Sequence, residues 1–126
     1  MANKPIICID FDGVIHSYTS GWKGVDVIPD PPVPGAFVAM TVYLQHFRVA
    51  VFSSRSKSES GIWAMRNWFL KYDWPDSDRY GYPNGLEFPT DKPPALVTID
   101  DRGITFTGSW PTVDEIKNFR PWYLKK

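Results

Sequence analysis

Three short apolar runs, each unbroken and each ending in polar residues, constrain this chain more than anything else in it. Ile6-Ile7-Cys8-Ile9 runs into Asp10-Phe11-Asp12-Gly13, Val49-Ala50-Val51-Phe52 into Ser53-Ser54-Arg55, and Ala95-Leu96-Val97-Thr98-Ile99 into Asp100-Asp101-Arg102-Gly103. Continuous rather than alternating apolarity is the pattern of strands covered on both faces, as in a parallel sheet. Helical patterns lie between the runs. One is predicted to open near Pro34, with proline in its first turn, and to carry Val38, Met40, Val42, Leu44 and Phe47. A second is predicted over about residues 58–72, where Ile62, Met65, Trp68 and Phe69 recur on one face until Trp74-Pro75 stops them. A third is predicted near 112–119, with Thr112 and Glu115 spaced as a capping box. Short strands are expected around Leu86-Glu87-Phe88 and Ile104-Thr105-Phe106. Strands alternating with helices predict an α/β fold, a parallel sheet joined by right-handed crossovers. Such sheets bind ligands outside the carboxyl ends of their strands. Asp10, Asp12, Ser53, Arg55, Asp100 and Asp101 are therefore expected to converge on one edge.

Composition removes several classes. At 126 residues the chain has room for one ordinary domain, taken as residues 1–126. Lys and Arg number 14, as do Asp and Glu, so no net basic field gathers nucleic-acid backbones non-specifically. A single cysteine, Cys8, excludes an internal disulfide framework and a cysteine-based zinc site, and its mid-strand position predicts a buried, inert thiol. No apolar run approaches the roughly 20 residues of a membrane span. The N-terminus reaches Asp10 too soon for a secretory apolar region, so a cytoplasmic location without membrane contact is expected. Of the acidic residues 11 are Asp and 3 are Glu, which points to turns and strand ends rather than helix faces. Asp30, Asp73, Asp76 and Asp78 are expected to serve turns. Residues 13–34 hold Gly21, Gly24, Pro29, Pro31, Pro32 and Pro34 without a period and are expected to form a long functional loop. Aromatic residues around 68–82 are expected to be largely exposed, which leaves a dimer open.

The converging residues suit one chemistry. Several carboxylates at one edge stay ionised together only around a cation, and an all-oxygen donor set favours Mg²⁺. A strand-end carboxylate such as Asp10 can attack phosphorus. Asp12, two residues on, lies on the same side of an extended segment and can move the proton. Gly13 permits a tight turn whose N–H groups face an anion. Ser53 or the adjacent Ser54 offers a hydroxyl to a phosphoryl oxygen, and Lys92 can offset the charge.

These residues resemble the four motifs of the haloacid dehalogenase superfamily. Ile-Asp10-Phe-Asp12-Gly-Val-Ile is similar to motif I, Val51-Phe52-Ser53-Ser54-Arg55 to motif II, Lys92 to the motif III lysine and Ile99-Asp100-Asp101 to motif IV. The resemblance spans about residues 5–106 and implies a Rossmann-like sheet with a flap after strand one. It implies Asp10 as nucleophile, Asp12 as general acid and base, Ser53 as a phosphate-binding group and Lys92 as charge stabiliser. Ser54 and Arg55 join Ser53 and Lys92 as candidate substrate contacts. The Mg²⁺ set it implies is Asp10, Asp12 through its main-chain carbonyl, and Asp100 or Asp101. The second motif I acid argues for phosphate esters rather than haloacids. Neither 13–34 nor 56–91 has room for a helical cap, so the resemblance is to small capless phosphatases, which occur in bacteria and bacteriophages.

The substrate expected is therefore a small phosphate ester, nucleotides included, or a nucleic-acid end, the latter favoured, with Trp22, Lys23, Tyr80 and Tyr82 as its rim contacts. His16 is expected to belong to the flap, and Arg55 and Arg102 to pair with carboxylates. Two other readings stay open: a phosphoryl-signalling receiver domain, and a non-catalytic binding module on the same fold. The position of the second acid, two residues after Asp10, argues against the receiver.

Overall fold

The computed structural model describes residues 4–124. Its centre is a four-stranded, fully parallel sheet made of β1 (Ile6–Ile9), β2 (Arg48–Val51), β3 (Leu86–Glu87) and β4 (Val97–Ile99), in the order β3-β2-β1-β4. The first apolar run is thus an inner strand between the other two. Ile9 is level with Val51 on one side and Ile99 on the other. The register carries on past the strand ends: Asp10 N–H donates to the Ile99 carbonyl at 2.9 Å, and Phe52 N–H to the Ile9 carbonyl at 3.2 Å. Asp10, Phe52 and Asp100 therefore leave the sheet together, which places the polar residues that follow at one edge.

Helices α1 (Ala36–Tyr43) and α2 (Glu59–Lys71) flank the sheet, and α3 (Val113–Lys117) follows with every residue exposed. The parallel sheet with flanking helices is the α/β class expected. Helix α1 opens after Gly35 at φ +83°, so Pro34 precedes the helix instead of occupying its first turn. It also ends at Tyr43, before Leu44 and Phe47, because residues 44–47 wind through tighter turns that feed β2. Helix α2 starts where Ser58 Oγ accepts the Gly61 N–H at 3.3 Å. Gly61 lies against the Arg55 carbonyl, where any side chain would collide, and this lets α2 sit directly on the turn 54–57. The capping box of α3 forms as expected, with Thr112 and Glu115 each accepting the other's N–H at 3.1 Å.

The core is aromatic. Phe11 and Phe69 are fully buried, Trp68 and Trp74 nearly so, and Phe37 stacks on Phe69 with ring centres 5.3 Å apart. Trp68, Phe69 and Trp74 thus correct the expectation of an exposed aromatic segment over 68–82: they are the face of α2 and the chain after it that covers the sheet. Only Tyr80 of that segment is exposed as a large aromatic. Two other corrections concern the far side. Residues 104–106 form no strand, and β4 is the sheet's edge, with Val97 about half exposed. An unbroken apolar run does not guarantee cover on both faces when no described element packs on its outer side. Among the described residues, no helix is long and apolar enough to cross a membrane.

Candidate active site

Three carboxylates meet beyond the ends of β1 and β4. Asp10, Asp100 and Asp101 each present an oxygen within 4.8 Å of the others. Asp101 is buried and Asp100 exposed, with Asp100 Oδ1 accepting the Arg102 N–H at 3.0 Å. Asp10 is pushed up to about 8, first by burial, then by its hydrogen bond with Asp101 and by the charges of Asp101 and Asp100. A carboxyl group that keeps its proton for want of a counter-charge is what a cation site looks like to the pKa of its ligands. The donors are all hard oxygens and mutually close, one half-buried, one exposed and one buried, and their chemistry fits Mg²⁺.

Asp12 is not part of that trio. Its carboxylate is held from behind by Arg55, whose Nε donates to Oδ2 at 3.0 Å and whose Nη2 donates to Oδ1 at 3.2 Å. His16 Nδ1 lies 2.8 Å from the same Oδ1. Arg55 is fully buried, and its Nη1 donates to the Gly24 and Val25 carbonyls, both at 2.8 Å. One guanidinium therefore ties the loop after β1 to the loop 17–31. The neck of that loop is closed by Ser17 N–H on the Pro31 carbonyl and Val33 N–H on the Ile15 carbonyl, at 2.9 and 2.8 Å. Asp30 stitches it further. Its carboxylate accepts the Ser20 N–H at 2.8 Å and the Ser20 hydroxyl, and these bonds hold it below the usual carboxylate range against the opposing effect of desolvation. Asp30 is buried and is a partner of His16 as well, more than the turn residue expected of it.

Gly13 makes the closest approach. At φ +83°, a Cβ there would run into the Asp101 carboxylate and come within 2.6 Å of the Tyr123 ring. Its carbonyl accepts the Trp122 indole N–H at 2.7 Å. The chain at 122–124 is thereby fixed against the first loop, and Tyr123 takes a bond from Arg102 Nη2 at 3.2 Å. Burial, followed by the Asp101 contact, pushes the Tyr123 hydroxyl up. Burial and the Asp12 charge do the same to Tyr18.

Asp10, Asp12, Ser53, Ser54, Asp100 and Asp101 line one cavity of about 350 Å³ together with Tyr18, Trp22, Phe52, Thr98, Arg102 and Tyr123. Six of the eight candidate residues thus share a space. Ser53 also caps the turn 54–57, its Oγ accepting the Arg55 N–H at 3.0 Å. Arg55 points inward onto Asp12 and does not line the cavity. Lys92 lines the neighbouring cleft, which shares Thr98 and Asp100 with the cavity. Tyr80 and Tyr82 lie elsewhere: Tyr82 packs on Phe88 and beneath the Arg66 guanidinium. Sequence reasoning missed Tyr18 and Tyr123. Tyr123 carries no local signal beyond its place in Pro121-Trp122-Tyr123, and Tyr18 none beyond its closeness to Asp10 and Asp12.

Compared with models of known protein families, with curated proteins and with solved structures, the chain matches none.

Proposed function

We propose that the chain is a Mg²⁺-dependent phosphohydrolase of the haloacid dehalogenase type, acting on phosphate monoesters through an aspartyl-phosphate on Asp10. The observation that carries this reading is the shared cavity: a strand-end carboxylate, a second acid held two residues away, and two more acids across the strand, all open to one space. Asp10, Asp100 and Asp101 are the residues to hold Mg²⁺, with the Asp12 main chain as the resemblance implies. Bound there, the ion neutralises the carboxylates and draws charge from the phosphoryl oxygens.

An Asp10 oxygen attacks phosphorus, and the bond from phosphorus to the ester oxygen breaks. Asp12 gives that oxygen its proton, so an alcohol leaves. Water then attacks the aspartyl-phosphate, Asp12 takes the proton back, and phosphate departs with Asp10 restored. Ser53 and Ser54 stand at the β2 end to contact phosphoryl oxygens. Lys92 reaches the site only from the adjoining cleft, so its charge acts from the Asp100 side.

The test is hydrolysis of p-nitrophenyl phosphate by the purified chain with Mg²⁺, with EDTA, and with Mg²⁺ restored. Turnover that EDTA abolishes and Mg²⁺ recovers is expected. Full turnover in EDTA overturns the metal assignment. A stable phosphoryl adduct with no turnover marks a receiver-like protein instead.

A further inference from the structure

Besides its four carboxylates the cavity is lined by four aromatic residues, Tyr18, Trp22, Phe52 and Tyr123, and by Ser53, Ser54, Thr98 and Arg102. Trp22 lies with one side of its indole on the Arg55 guanidinium, 4.6 Å from ring centre to cation. Arg55 is itself locked by Asp12 and the carbonyls of Gly24 and Val25, so the ring rests on a fixed support. Trp22 is 49% exposed and lines the cavity. Tyr18 stands in the left-handed region at φ +63°, a strained conformation for a side chain of that size. Its ring meets Tyr123 edge-on at 6.1 Å. Tyr123 is held in turn by its Arg102 bond and by its neighbour's bond to Gly13.

Cations are scarce in the same lining. Arg55 is committed to Asp12, Lys92 lies in the next cleft, and among the described residues Arg102 is the one cation lining the cavity. The cavity thus offers ring faces beside its carboxylates and little to attract a second charge. At about 350 Å³ it is near the lower end of the roughly 300–1,000 Å³ of small-molecule sites.

We infer that the ester bound here carries a planar ring, stacked on Trp22 and bounded by Tyr18 and Tyr123, and that its chemical class is the nucleoside monophosphate. The inference rests on the phosphohydrolase reading and names the substrate class of that same site. A nucleobase one sugar away from a phosphate is offered equally by a free nucleotide and by an oligonucleotide end. The zero formal charge and the single cation among the described lining residues favour the free nucleotide, since a polyanionic strand gains most from basic walls.

The experiment compares kcat/KM of the full chain with Mg²⁺ for nucleoside 5′- and 3′-monophosphates, glycerol phosphate, and oligonucleotides phosphorylated at either end. Nucleoside monophosphates are expected to exceed glycerol phosphate by roughly 10- to 100-fold, the range that base–aromatic stacking supplies. Trp22→Ala is expected to erase that advantage through KM, and Trp22→Phe, which keeps a ring face, to retain most of it. Equal values for nucleotides and glycerol phosphate overturn the inference and leave the phosphohydrolase reading intact. An unchanged preference in Trp22→Ala overturns the stacking assignment. Higher values for the oligonucleotides overturn the free nucleotide as substrate. No hydrolysis of any ester overturns the underlying reading, and this inference with it.

Discussion

His16 Nδ1 lies 2.8 Å from Asp12 Oδ1, while the ring's other nitrogen accepts the Asp30 N–H at 3.1 Å. A ring nitrogen that accepts an N–H carries no hydrogen, so the proton is on Nδ1 and is directed at Asp12. The buried imidazole is a fixed donor, and Asp30 chooses the tautomer. With Arg55 on the other side, Asp12 is oriented by two residues from different parts of the chain.

Removing the imidazole should therefore be felt in both stability and rate. His16→Phe keeps a ring against Phe11, 5.5 Å away, but strips Asp12 of a donor and the Asp30 N–H of its acceptor. A loss of about 1–3 kcal/mol is expected for buried polar groups left unpaired. Urea unfolding measures it. His16→Asn keeps a donor near Asp12 and should retain more kcat than His16→Phe. Equal kcat in the two variants would show that the donor does not position the acid.

Arg55→Met leaves Asp12 and two flap carbonyls without their partner. Breaking a buried ion pair from one side costs about 3–5 kcal/mol. Arg55→Lys should fall between, because an ammonium group cannot reproduce the fork that holds both Asp12 oxygens. A double-mutant cycle with Asp12→Asn should return a large coupling energy. Additive effects would mean that the pair is not what Arg55 contributes.

Asp10→Asn and Asp12→Asn are expected to fail differently. The first removes the nucleophile, so no covalent phosphate forms. The second slows both proton transfers by roughly 10²–10⁴-fold while leaving Asp10 to be modified. Trapping with beryllofluoride and locating the adduct by mass spectrometry separates them. An adduct on Asp12 reverses the two assignments.

Metal and pH should act on the fold through Asp10. Its carboxyl keeps a proton up to about 8 when folded, against 3.8 for the ordinary group. Between those values the folded state binds more protons than the unfolded one, so this stabilising contribution is lost as pH rises toward the folded value. In EDTA the Tm should fall between about pH 6 and about pH 8, and Asp10→Asn should flatten that slope. Mg²⁺ takes the proton's place, so its increment in Tm should be larger at the higher pH. A Tm in EDTA that rises over this window would contradict the cluster's repulsion.

What the sequence made legible was local. Asp10 and Asp100 follow their strands directly and Ser53 comes one residue after the end of its own, so finding the strands located these residues at the sheet edge. The parallel pairing then did the rest, because Ile9, Val51 and Ile99 share a level. Arg55 was ambiguous, since nothing in Ser53-Ser54-Arg55 says whether the guanidinium faces a ligand or the second acid 43 residues earlier. Tyr123 was invisible for the same reason, as its place depends on a bond between Trp122 and Gly13. The exposure of β4 was hidden too. Apolar continuity reports what a strand tolerates, and the sheet order decides what covers it.

The bond from the Trp122 indole to the Gly13 carbonyl joins residues 109 positions apart. At the roughly 5–20 residues per second of synthesis, Gly13 leaves the ribosome about 5 to 20 seconds before its partner. Through that interval a nascent chain holds its first two acids without the tyrosine that later walls them in. Even when β4 has paired and brought Asp100 and Asp101 to Asp10, the side of the cavity that Tyr123 lines is still missing. The four acids are thus gathered before the wall beside them is built.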